Sequence, residues 1–123
     1  MGVPDLNCLA QLSLAELWSV VDAGLWIRQM CDEEVYQLNP EESIAIERLP
    51  RLAGQAAKSL LGIGEAGSDT RVVLSPEAAS YVQCICDFIA SLVESGDDDV
   101  PVQHEVRCDE VLTELSRRVF RVV

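Results

Sequence analysis

Positive charge is what this chain has least of. Nine Lys and Arg stand against 21 Asp and Glu, a formal net charge of −12. Phosphate backbones are bound by clustered cations, so this balance excludes a nucleic-acid binder. No apolar run approaches the ~18 residues needed to cross a bilayer. Imidazole is limited to His104. Five cysteines, Cys8, Cys31, Cys84, Cys86 and Cys108, form no Cys-x-x-Cys pair, and no set of ligands has the spacing of a zinc site. An odd number of scattered thiols reads as reduced cysteines of an intracellular protein, nuclear or cytoplasmic. The first residues, Met1 to Leu6, lack the basic start of a secretory signal and the Ser or Thr of a myristoylation signal. Gly62-x-Gly64-x-x-Gly67 follows a helical pattern rather than a strand, so it lacks the context of a nucleotide fingerprint. His104 and Cys108 are four apart on a helix, but no orienting group or oxyanion donor accompanies them. The expectation is a non-enzymatic protein-binding module with no cofactor and no metal.

What is present is helix. Ser13-Leu14-Ala15-Glu16 has the form of a capping box, followed by Leu14, Leu17, Trp18, Val21 and Leu25 at helical spacing. This helix is expected to end near 32–34 or to run on to Leu38. Asn39-Pro40-Glu41-Glu42 starts a second, carrying Ile46, Leu49, Leu52 and Ala53, with a break or kink expected at Pro50. Ser75-Pro76-Glu77 starts a third, whose stripe of Ala78, Val82, Ile85, Cys86, Ile89, Leu92 and Val93 is the cleanest in the chain. Gly96 and Asp97-Asp98-Asp99 close it, since carboxylates oppose the dipole of a helix C-terminus. Val72-Val73-Leu74 and Val100-Pro101-Val102 read as short extended stretches, and a last helix is expected over 105–121, ending in Arg117, Arg118 and Arg121.

From residue 48 onward the order is short helix, loop, long helix, loop, short helix, and three stretches resemble the histone fold. Thr70-Arg71-Val72-Val73-Leu74-Ser75 resembles the first loop entering the central helix. Ala78-Ala79-Ser80-Tyr81-Val82, continued by Ile85-Cys86-Asp87-Phe88-Ile89, resembles the central helix. Arg107-Cys108-Asp109-Glu110-Val111-Leu112, with Leu115 and Arg118-Val119, resembles the R-x-D-E stretch before a leucine-rich short helix. The first loop offers only Arg71 where histones are basic, and three aspartates stand where histones place cations. The resemblance therefore implies an all-α, histone-fold-like domain at 39–123 with a helical extension at 1–38, and the pairing habit without the DNA function. It is similar in this to histone-like domains embedded in ankyrin-repeat and BTB proteins or in the Son-of-sevenless exchange factors, and implies part of a larger regulatory protein or complex.

A stripe of six or seven aliphatic side chains cannot stay in water at ~25 cal/mol per Å². Either a partner covers it, a second copy or another histone-fold or helical chain, or the N-terminal helix folds back over it. The partner reading assigns Tyr81, Val82, Ile85, Ile89 and Leu92 to the seam. Val72, Val73, Val100 and Val102 then form short parallel bridges across the pair, and Trp26 is an exposed anchor. A second reading is an acidic adaptor or histone-chaperone-like protein in which Asp97, Asp98 and Asp99 mask a basic partner.

Overall fold

The computed structural model of the chain describes residues 11–62 and 71–121, and for 59–62 and 116–121 the backbone alone. The fold is mostly helical: β1 (Gln11–Ser13), α1 (Leu14–Asp32), α2 (Pro40–Gly62), β2 (Arg71–Val73), α3 (Pro76–Glu94) and α4 (Val102–Arg121). Each of the first three helices begins where its cap lies. Glu16 N donates to Ser13 Oγ at 3.1 Å while Ser13 N donates to Glu16 Oε1 at 2.9 Å. Asn39 and Glu42 make the same reciprocal pair at 2.8 and 2.9 Å, and Ser75 Oγ accepts from Ala78 N at 3.1 Å.

Two helices end in the same backbone motif. Val35 N reaches Met30 O and Glu34 N reaches Cys31 O at the end of α1; Asp97 N reaches Leu92 O and Gly96 N reaches Val93 O at the end of α3. This is the Schellman arrangement, and its C′ residue must be left-handed. Gly96 takes φ 79° without difficulty, whereas Glu34 takes φ 64° with a side chain.

Three expectations are corrected. Pro50 does not end its helix, which runs unbroken from Pro40 to Gly62. The ring removes one hydrogen bond, but Ile46 and Leu49 before it and Ala53 after it are all buried, and that packing keeps both halves helical. Val100-Pro101-Val102 is not an extended stretch. The Pro101 carbonyl accepts from His104 N and Glu105 N, so α4 starts at Val102. Val72 and Val73 are extended, but they pair within the chain: β1 and β2 are antiparallel, with Gln11 opposite Val73, Leu12 opposite Val72 and Ser13 opposite Arg71. The Arg71 guanidinium, at 3.4 Å from Glu16 and 3.2 Å from Glu114, ties this small sheet to α1 and α4.

The proportions also differ from a long helix between two short ones. α3 has 19 residues against 23 in α2 and 20 in α4. Residues 11–32 pack with the rest of the described chain. Leu12, Leu17, Val20, Ala23 and Ile27 lie in one buried cluster with Leu49, Val82, Ile85, Ile89 and Val111. α1 thus covers the apolar seam of α3. Its approach is close at Gly24, where a Cβ would sit 3.2 Å from Ile85 Cδ1 and 3.5 Å from Ile46 Cγ1.

Alanine at 24 meets only the flexible end of Ile85 and also gains helix propensity, so G24A is expected to change stability little. G24V overpacks the contact and should cost ~2 kcal/mol in thermal or urea unfolding. At the helix ends, E34G should stabilise by up to ~1 kcal/mol and G96A should destabilise by ~1 kcal/mol, opposite signs from the same backbone position.

Candidate functional site

The residues expected at a partner seam divide into two groups. Val72, Val82, Ile85, Ile89 and Val100 are buried in the chain's own core, so they are not a partner face in this fold; α1, α2 and α4 already cover them. Leu92 and Tyr81 are half-buried. Tyr81 Oη donates to Glu77 at 2.7 Å and accepts from Arg48 Nη1 at 3.4 Å, joining α3 to α2 on the outside. Val73 and Val102 are exposed, Val102 at 70%.

The tryptophans exchange the roles expected of them. Trp18 is the exposed one, at 38%, while Trp26 is half-buried against the core. Eight residues at 3.6 per turn leave the two side chains about 80° apart, enough to place one in contact and one in water. Trp26 heads an aromatic group, its ring centroid 5.9 Å from that of Tyr36 and 6.0 Å from that of His104, with Phe88 5.9 Å beyond Tyr36.

This group anchors the acidic turn. Tyr36 Oη donates to Asp97 Oδ2 at 2.8 Å, and Asp99 N donates to Asp97 Oδ1 at 2.8 Å. Asp97 is therefore half-buried and structural, while Asp98 and Asp99 face solvent. Burial, then the Asp97 acceptor and the charges of Asp97 and Asp99, push the Tyr36 phenol up to about 12.

The four described cysteines are all free thiols. Cys31 and Cys84 are half-exposed, but burial and the nearby Glu42 carboxylate raise both thiols, the opposite of activation. Cys108 meets Cys86 in the core; that contact and burial hold the Cys86 thiol protonated. His104, rather than pairing with Cys108, lies against Trp26, and burial lowers its basicity. No group of three or more ligating side chains able to hold a metal occurs among the described residues. No helix among them is long and apolar enough to cross a membrane. Cys8, the Gly62–Gly67 string and the side chains of Arg117, Arg118 and Arg121 lie outside the described residues.

The surface feature that sequence reading missed is a groove of about 390 Å³ between α3 and α4. Ala90, Val93 and Val106 supply its apolar surface above the buried Ile89, and Glu94, Glu105, Asp109 and Glu110 edge it. The signal was present as two four-residue spacings on α4, Glu105 with Asp109 and Val106 with Glu110. A second, wider groove between α2 and α3 is polar, with Glu41, Glu42 and Asp87 on it. No family model, curated protein or solved structure matches the chain.

In an alkaline titration the Tyr36 phenolate should appear near pH 12, and D97N should move it back toward the ordinary ~10. Because the folded value lies above the unfolded one, its contribution to stability is whole below pH ~10. That contribution is lost as the pH rises through about 12.

Proposed function

We propose that this chain is a non-enzymatic protein-interaction module that binds a cationic partner chain. One observation carries the reading. Residues 71–115 hold ten carboxylates and two guanidinium groups, and both arginines are already engaged: Arg71 with Glu16 and Glu114, Arg107 with Glu110 at 3.2 Å. Over the whole α3–turn–α4 hairpin, residues 76–121, the same ten carboxylates stand against four arginines, so the hairpin presents a net negative field. Such a field speeds encounter with a basic partner, rejects acidic ones, and weakens with salt.

A histone-type handshake between two chains is the second reading. The order helix, short extended stretch, helix, loop, helix over 40–121 favours it. It requires α1 to leave the seam of α3, because the same side chains cannot be covered twice. The two readings differ in mass. A closed monomer scatters light as 13.5 kDa, and a handshake pair as twice that.

The cationic-partner reading is tested by titrating the full chain with a fluorescent oligolysine peptide at low and at physiological salt. Binding should weaken by about tenfold across that range. D98N/D99N, which spares the structural Asp97, removes two exposed charges at about 0.5 kcal/mol each, which predicts a further loss of about fivefold. Binding indifferent to both salt and these aspartates would remove the basis of the proposal.

A further inference from the structure

We infer that the α3–α4 groove is the docking site, and that its occupant is a single amphipathic helix of a partner chain, with an apolar stripe flanked by Arg or Lys. The inference rests on the cationic-partner reading and adds a surface and a shape to it.

The groove runs between two helices of one hairpin. Each wall carries two four-residue pairs, Ile89 with Val93 and Ala90 with Glu94 on α3, Glu105 with Asp109 and Val106 with Glu110 on α4. The α3 wall is thereby apolar except at Glu94, and the α4 wall acidic except at Val106 and Cys108. Val106, 50% exposed, and Val102 four residues before it continue the apolar line outward along α4. The carboxylates stand on both walls, Glu94 on α3 and Glu105, Asp109 and Glu110 on α4, so an occupant lying on the apolar surface has negative charge along both of its edges. Among the described residues, Glu110 alone of these four has a cation beside it, Arg107, in an exposed pair.

The backbone chemistry selects a helix over an extended segment. Both walls are α-helical, so their main-chain donors and acceptors are used within the helices and offer none to a strand laid between them. An extended peptide would have unpaired backbone facing apolar side chains. A helix brings its own hydrogen bonds and presents a stripe at i, i+3/i+4 and i+7 that fits a linear apolar groove. Arginine suits the edges better than lysine, since its planar fork can take a carboxylate in two hydrogen bonds. The wider α2–α3 groove lacks this arrangement, because polar side chains rather than an apolar row line most of it.

The test compares two labelled peptides of identical composition, each about 18 residues, long enough to be helical. One has leucines at i, i+4 and i+7 with arginines on either side, and in the other the order is scrambled so that no stripe forms. Anisotropy titrations use the full chain, V106N and E105Q/D109N. V106N changes a half-exposed side chain, and thermal unfolding followed by circular dichroism confirms that each variant stays folded. The striped peptide should bind about tenfold more tightly than the scramble, a difference of about 1.4 kcal/mol. V106N should erase most of that preference while leaving oligolysine binding intact, and E105Q/D109N should weaken both peptides. Equal binding of the two peptides, with V106N silent and oligolysine binding still salt-sensitive, would overturn the groove assignment and leave the cationic-partner reading standing. Binding of none of the three would end both.

Discussion

Where α1 packs on α3 there is room for nothing larger than a methyl group on the α1 side. Gly24 meets that constraint. It sits in the middle of α1 with Ile85 of α3 and Ile46 of α2 within van der Waals reach of where its Cβ would be. Glycine weakens a helix interior by up to ~1 kcal/mol, and here the loss is set against burial of Val82, Ile85 and Ile89, side chains each worth about 1.5–3 kcal/mol out of water. The rest follows from that contact. Once α1 lies on the seam, no buried polar side chain is found among the described residues and the core closes within one chain. The stripe that dominates the sequence is then inside the fold, and the proposed docking surface is the outer face of the α3–α4 hairpin.

Charge and packing divide the hairpin between them. Its inner side, with Cys108, Val111 and Leu115, completes the core, and its outer side carries Glu94, Glu105, Asp109 and Glu110 around a strip of aliphatic atoms. Exposed aliphatic side chains singly need no explanation. A strip of them bordered by four carboxylates, of which Glu110 is paired with Arg107, is a different matter, because like charges repel one another across the groove. A partner's cations would relieve that repulsion. Asp97 shows the contrast: the Tyr36 hydroxyl and the Asp99 amide hold its carboxylate, and it serves the turn.

The local parts of the fold were legible and the long-range parts were not. The caps at Ser13, Asn39 and Ser75 were legible because their hydrogen bonds close within three residues, and Gly96 because a left-handed C′ position favours glycine. Glu34 occupies the same position with no such signal. The start of α4 was misplaced because Pro101 reads as an extended-chain residue, although its fixed φ also suits the residue just before a helix. Strand β1 was invisible: three residues, Gln11 to Ser13, acquire strand character only from pairing with 71–73, some sixty positions away. Trp18 and Trp26 show the limit of periodicity. Spacing gives the angle between two side chains on a helix, and a second helix decides which of them is covered.

The resemblance to histones reduces to the same question of cover. A handshake fold buries the central stripe of one chain against that of another, and the driving force is the apolar area removed from water. Here α1 removes that area first, intramolecularly, without the translational entropy that association costs. A dimer made by displacing α1 would re-expose Leu17, Val20, Ala23 and Ile27 unless the second chain covered them too. It would exchange one cover for another while bringing two chains of net charge −12 together. Apolar burial gives such an exchange little gain and like-charge repulsion opposes it. The same excess of negative charge that disfavours a second copy favours a basic chain at the hairpin.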